Sequence, residues 1–84
     1  MLDFRVETFL TVCQTMNFTE AAGLLHITQP AVSQHIHGLE KQFDAVFFQY
    51  EGKRLSLTAA GQLFYRTALA MRHDVDHLKQ QLSQ

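Results

Sequence analysis

Apolar residues recur at intervals of three and four over the first part of the chain, a spacing that predicts helices. A first helix is predicted over residues 3–16. Its predicted buried residues are Leu2, Val6, Phe9, Leu10, Cys13 and Met16. Thr19 belongs to a residue type that favours the N-cap position, so a short second helix is predicted over residues 20–25. The small and branched residues that this helix would bury are Ala21, Ala22 and Leu25.

A third helix is predicted to begin after Thr28 and to run to about residue 43, because Thr28 can cap it and Pro30 fits its first turn. Its apolar residues fall in one stripe, formed by Val32, Ile36, Leu39 and Phe43. The opposite face carries short polar groups, which are Pro30, Ser33, Gln34, His37 and Lys41. Such a helix is either an ordinary amphipathic surface helix or one whose polar face binds a partner through hydrogen bonds.

Beyond Asp44 the pattern changes to period two, which predicts a β-hairpin. Its strands lie over residues 47–50 and 55–57, and residues 51–54 form the turn. Lys53 and Arg54 place two adjacent cations at the tip of this hairpin.

A long final helix is predicted over residues 59–84, with Thr58 as its cap. Its apolar residues alternate at spacings of four and three, the heptad-like pattern of a helix that packs against another helix. They are Phe64, Ala68, Met71, Val75, Leu78 and Leu82. A helix of this length, about 39 Å, projects beyond the small body, so we expect its uncovered part to form a homodimer with a second copy.

Composition limits the chain to one small globular unit. It has 84 residues, of which 46% are hydrophobic, and its seven cations and eight anions give a net charge of −1. This charge speaks mildly against nucleic-acid binding, although the local placement of charge matters more than the sum. The single cysteine excludes an internal disulfide and favours a reducing, cytoplasmic setting. The sequence carries no apolar run typical of a signal peptide or a membrane helix.

Two short helices joined by a tight turn, the second with a polar outer face, are typical of a helix-turn-helix, and a following hairpin makes it winged. The sequence resembles the LysR-type bacterial transcriptional regulators on the residues of this region. They are Phe18-Thr19-x-Ala21-Ala22-x-x-Leu25-x-Ile27-Thr28-Gln29-Pro30-Ala31-Val32-Ser33-x-x-Ile36-x-x-Leu39-Glu40, then Phe47-Phe48, then Leu57-Thr58-x-x-Gly61.

This resemblance implies a mostly α fold: a winged helix-turn-helix of three helices and a β-hairpin over residues 1–58, then a linker and dimerisation helix over 59–84. The helix-turn-helix would lie at about 18–37 and the wing at about 47–57. Promoter DNA is the implied partner. In such regulators an effector-binding domain normally follows, so we expect the chain to be the N-terminal part of a longer protein and any effector to bind that further domain.

The resemblance implies that DNA is contacted by Thr19, Thr28, Gln29, Pro30, Ser33, Gln34, Lys53 and Arg54. His37, on the same polar face of the third helix, is a further candidate. A glutamine can pair bidentately with adenine, a serine can serve several bases, and a proline can touch a thymine methyl group. The two threonines are predicted at helix N-termini, which favour phosphate. His37 either contacts DNA in its protonated form or is simply solvated.

The sequence departs from the family pattern at four positions. The family usually has an arginine near Tyr50, often has a cation at Gln34 or His37, and commonly has glycine where Asp44 stands. These departures predict weaker DNA binding by a single copy and more reliance on dimerisation. They also leave open a second function, a protein-interaction or dimerisation module with degenerate DNA binding.

The remaining features favour ordinary structural roles. His73 and His77 could hold a metal, but two ligands without a third favour a solvated helix face. Cys13 on an apolar face favours a buried structural thiol over a redox switch. His35, on the flank of the third helix, is expected to pack rather than to read bases. The sequence carries no recognisable catalytic motif, so neither an enzyme nor a cofactor is expected.

Overall fold

The computed structural model describes residues 3–84 as a helical unit with one β-hairpin. In chain order the elements are α1 (Phe4–Thr15), α2 (Phe18–Leu25), α3 (Gln29–Phe43), β1 (Phe48–Glu51), β2 (Arg54–Leu57) and α4 (Ala59–Leu82). The predicted mostly α winged-helix fold is confirmed. Leu2, predicted to be buried, lies outside the described residues.

Polar side chains cap the starts of the helices, because the first backbone N–H groups of a helix have no partner within it. The hydroxyl oxygens of Thr28 and Thr58 accept hydrogen bonds from the backbone N–H groups of Ala31 and Gly61, at 3.2 and 2.9 Å. The prediction that these two threonines cap α3 and α4 is therefore confirmed.

The start of α2 differs from the prediction. The cap is Asn17, whose side-chain oxygen accepts a hydrogen bond from the Glu20 backbone N–H at 2.9 Å, and Thr19 is the second residue of the helix. The hydroxyl of Thr15 hydrogen-bonds to the Asn17 backbone. The ring of Phe18 then packs 5.7 Å from that of Phe48. These contacts start the helix two residues before the predicted position.

Each of the first three helices ends on a residue with left-handed backbone, Met16, His26 and Asp44, at φ angles of 48°, 58° and 49°. Glycine adopts this conformation without the steric cost that a Cβ atom brings. Asp44 therefore carries a conformational cost at the end of α3 that a glycine there would not carry.

The core is built around Phe9, whose side chain is fully buried. Its ring packs edge-on against Phe47 and Phe64, with centroids 5.5 and 4.8 Å apart, and at a tilt against Phe48 at 5.4 Å. The rings of Phe47 and Phe64 stack on each other at 4.6 Å. One aromatic cluster thus joins α1 to the base of the hairpin and to α4.

The predicted apolar stripe of α3 is buried at Val32, Ile36 and Leu39. Phe43 is the exception, since 51% of its surface is exposed. It lies at the end of α3, where its ring packs against that of Phe64 with centroids 5.1 Å apart.

Helix α1 buries Thr8 and Val12 in addition to Val6, Phe9 and Leu10. The Thr8 hydroxyl lies 2.8 Å from His35 Nδ1, and the Phe4 ring packs edge-on against His35 at 4.8 Å. The prediction that His35 packs is confirmed.

Cys13 is partly buried against the core, and burial raises the pKa of its thiol from the ordinary 9.0 to about 12. A thiol held protonated in this way is a weak nucleophile, in agreement with the predicted structural role.

The hairpin pairs Phe48 with Leu57, Gln49 with Ser56, Tyr50 with Leu55 and Glu51 with Arg54. Gly52 and Lys53 form the turn, and Gly52 has a positive φ of 65°, which the first central residue of a type II′ turn requires. Residues paired across a sheet share a face. The inner face therefore carries Phe48, Tyr50, Leu55 and Leu57, and the outer face carries Gln49, Glu51, Arg54 and Ser56.

The hairpin is fixed to the helices through the backbone of Phe47. Its N–H donates to the Glu40 carboxylate at 2.7 Å, and its carbonyl accepts from the Thr58 N–H at 3.0 Å. The Thr58 hydroxyl also donates to the Val46 carbonyl. Gly61 is buried beside this junction, where an added Cβ atom would overlap the Phe47 carbonyl oxygen.

We therefore predict that Gly61→Ala lowers the free energy of unfolding by about 1–3 kcal/mol or more, because the wing base must move to admit a methyl group. Gly23→Ala is the matched control, since an added Cβ there meets no atom within 4 Å. In a helix interior this change raises stability by up to about 1 kcal/mol. Chemical denaturation of both variants checks the pair; equal stability would contradict the packing role of Gly61.

Candidate nucleic-acid interface and dimer surface

The polar face of α3 lies on the protein surface. Gln29, Pro30, Gln34 and His37 are exposed and Ser33 is half-buried. This face begins at the N-terminus of α3, where Thr28 is also exposed. The structure thus presents the predicted residues of the third helix together on one accessible surface.

Gln29 and Ser33 are one turn apart and interact directly. Nε2 of Gln29 donates a hydrogen bond to Oγ of Ser33 at 3.0 Å. A carboxamide has one further N–H and an acceptor oxygen, which are the two groups that adenine recognition needs. Ser33 therefore restrains the Gln29 side chain without using its recognition groups.

A polar cleft of about 270 Å³ separates the start of α3 from the wing. Thr19, Gln29, Tyr50 and Lys53 are among the residues that line it. The cleft brings together three of the predicted residues from α2, α3 and the turn of the hairpin. Tyr50 was not among the predicted site residues. The sequence signal that could have placed it on this side of the wing is its position two residues after Phe48, because alternate residues of a strand share a face.

Arg54 lies apart from this cleft, on the outer face of the hairpin. Its cross-strand neighbour is Glu51, whose carboxylate also accepts a hydrogen bond from the Ser56 hydroxyl at 2.9 Å. Within residues 3–84 neither Lys53 nor Arg54 forms an ion pair. The two cations at the wing tip thus lie on different sides of the wing.

Some apolar residues of α4 pack into the protein's own core, and others are exposed on the surface. Ala68 is buried in the protein's own core, and Phe64 is half-buried beside it. An ion pair of 3.3 Å between Arg72 and Glu7 then joins α4 to α1. The prediction that Ala68 belongs to a dimer interface is therefore wrong, because its small side chain is already covered by its own chain.

Along one side of α4 the apolar residues Leu63, Met71, Leu78 and Leu82 are exposed, by 60%, 46%, 51% and 74%, and we call them the exposed seam. Leu69 is also exposed, by 39%, but at about 100° per residue it lies on another side of the helix. Leu63 was missed because it lies one residue outside the regular heptad-like pattern. Next to the N-terminal part of the seam is an apolar groove of about 390 Å³ between α1, the end of α3 and α4.

The rings of His73 and His77 lie parallel, with centroids 6.5 Å apart. In the described part of the chain, no three His, Cys, Asp or Glu side chains come together in a way that could hold a metal ion. None of the helices described over residues 3–84 has the length and apolar character needed to span a membrane.

A family model for the bacterial regulatory helix-turn-helix protein of the lysR family matches residues 5–62. The chain belongs to the LysR family. Relatives in this family include the HTH-type transcriptional regulator YxjO of Bacillus subtilis, which is 42% identical over 79 residues; the match covers 94% of this chain and 27% of that protein. The chain spans about a quarter of the length of the curated relatives it matches.

Solved structures of LysR-family proteins share the fold. A LysR-family transcriptional regulator from Eggerthella lenta is 63% identical, with a TM-score of 0.76 over 83% of this chain and 99% of that chain. Vibrio fischeri DarR, solved in complex with DNA, is 32% identical, with a TM-score of 0.86 over 99% of this chain and 29% of that chain.

The structure gives physical roles to several residues that carry the LysR-family resemblance. The Glu40 carboxylate accepts a hydrogen bond from the Phe47 N–H, and Thr58 caps α4. Gly61, which has no Cβ atom, leaves space for the Phe47 carbonyl oxygen. These residues hold the wing against the helix-turn-helix, while Gln29 and Ser33 remain on the surface.

Proposed function

We propose that the chain is the sequence-specific DNA-binding part of a transcription regulator. The observation that carries this proposal is the restrained Gln29–Ser33 pair on the polar face of α3, with Gln29 lining the same cleft as Lys53. The LysR-family membership and the DNA complex of Vibrio fischeri DarR support it. The protein would act on promoter DNA in the cytoplasm, without a catalytic role or a cofactor. An effector would bind a further domain of the longer protein.

In this proposal α3 enters the major groove, which is about as wide as a helix with its side chains. Gln29 and Ser33 contact base edges at the start of the helix, and Pro30, Gln34 and His37 lie along the same surface. Thr19, Thr28 and the wing face the phosphate backbones on either side. The protein thus reads sequence mainly through neutral hydrogen-bonding groups.

We predict that Gln29→Ala weakens binding to the preferred DNA site by about 1–3 kcal/mol and leaves binding to random DNA nearly unchanged. The reason is that the carboxamide recognises a base, whereas phosphate contacts hold any sequence. Gln62→Ala, at an exposed glutamine on α4, is the control. Equal losses on both DNAs, measured by fluorescence anisotropy, would contradict base reading by Gln29.

The placement of the wing cations leads to a separate prediction. Lys53→Ala should reduce the slope of log affinity against log salt by about one, because it removes one phosphate contact. Arg54→Ala should change this slope less, since Arg54 lies on the outer face beside Glu51. A larger effect of Arg54 than of Lys53 would show that the outer face of the wing meets the phosphates.

We also propose that the chain binds DNA as a homodimer through α4. The exposed seam runs along α4 from Leu63 to Leu82. Its N-terminal residues Leu63 and Met71 line the apolar groove, whereas Leu78 and Leu82 lie in the C-terminal half of the helix. An antiparallel pair of α4 helices would seat each C-terminal half near the groove of its partner. The two bodies then lie at opposite ends of a helix about 36 Å long, close to one turn of DNA.

Leu78→Glu should convert this dimer into a monomer, since a carboxylate would be buried unpaired in an apolar interface. DNA affinity should fall as well, because two half-sites are no longer engaged together. Gln80→Glu adds the same charge at an exposed position on another side of α4 and should leave the dimer intact. Sedimentation at low micromolar concentration measures the oligomeric state of both variants. A Leu78→Glu variant that stays dimeric would exclude the exposed seam as the dimer interface.

The net charge of −1 supports the second candidate function, a protein-interaction or dimerisation module without DNA binding. Measuring DNA affinity as a function of salt concentration distinguishes the two candidate functions. A DNA-binding domain gives saturable binding with a negative slope against log salt, whereas an interaction module gives no saturable DNA binding at low salt.

A further inference from the structure

Tyr50 stands out among the wing residues because it lies on the inner face of the hairpin and is nevertheless 65% exposed. Its cross-strand neighbour on that face, Leu55, is buried. Leu55 therefore provides an apolar support beside the Tyr50 ring, while most of the phenol remains accessible.

Tyr50 also borders two clefts between the wing and the helix-turn-helix. One is the polar cleft that contains Gln29 and Lys53. The other, of about 230 Å³, includes His37 on α3. Gln29 and His37 are eight residues apart on α3, about 12 Å along its axis. Tyr50 thus lies beside the middle of the surface that the proposed function assigns to DNA.

The position beside α3 determines which part of DNA Tyr50 can meet. A helix with its side chains nearly fills the major groove, so a group at its flank faces the wall of the groove, which is formed by phosphates. A phenol is neutral at physiological pH and can donate one hydrogen bond. A phosphate oxygen is a charged acceptor, which strengthens such a bond.

We propose that Tyr50 is a DNA-contacting residue whose hydroxyl donates a hydrogen bond to a backbone phosphate beside α3. This contact rests on the proposed function and deepens it. It fixes the distance between the wing and the groove wall without adding a positive charge. The wing then positions α3 through one neutral contact at Tyr50 and one charged contact at Lys53.

The test uses the 84-residue chain and two DNA duplexes, one selected from a random pool by the wild-type protein and one of random sequence. Tyr50→Phe removes the hydroxyl and keeps the ring. It should weaken binding to both duplexes by the same factor, about 3- to 30-fold for one hydrogen bond. The salt slope and the melting temperature should stay unchanged. Tyr65→Phe, the same chemical change on α4, should have no effect.

Each other outcome has a distinct meaning. If the wild-type protein enriches no sequence from the pool and does not bind the random duplex, the proposed function is overturned and the Tyr50 contact with it. Wild-type binding with less than a twofold effect of Tyr50→Phe would overturn the Tyr50 contact alone. A loss confined to the selected duplex would overturn the phosphate assignment, because phosphates carry no base information.

Discussion

The packing of aromatic rings around Phe9 is the constraint on which the rest of the structure depends. The ring of this single residue of α1 contacts Phe47, Phe48 and Phe64, which belong to the wing base and to α4. Offset and edge-on ring pairs have defined geometries, so the cluster sets directions as well as distances. The proposed DNA-facing surface and the proposed dimer surface are therefore oriented by the same few side chains.

The proposed interface relies on neutral groups because charge is scarce near α3. Lys53 lines the cleft beside Gln29, whereas Arg54 lies across the wing next to Glu51. Electrostatic attraction is then a modest contribution for each copy. Two copies held together would sum their contacts, since the second binding event takes place within the complex at a high effective concentration. The large exposed apolar surface of α4 fits this division of roles.

Local sequence signals predicted the elements well, and long-range packing decided the details that they missed. Thr28 and Thr58 precede strong helical patterns and cap them as predicted. Asn17 and Thr19 are both good caps, and the choice between them depends on where Phe18 packs against Phe48. Likewise, the rotation of α4 against the body decides that Ala68 is buried and Leu63 exposed.

The wing illustrates the same limit at the candidate site. The two adjacent cations were visible in the sequence, but their sides were not, because a shift of one residue in strand register exchanges the two faces of a strand. Only the observed pairing separates Arg54 from Lys53 and places Tyr50 on the inner face.

The left-handed ends of the first three helices have a consequence for the energetic margin of the fold. Met16, His26 and Asp44 each hold a Cβ atom where it is unfavourable, at roughly 1 kcal/mol apiece. The total free energy of unfolding of a protein is about 5–15 kcal/mol. The combined cost of three such residues is therefore a sizeable fraction of it. The isolated unit thus sits nearer to its melting threshold than its well-packed core suggests. Association that occurs only in the folded state would shift that threshold upward by mass action.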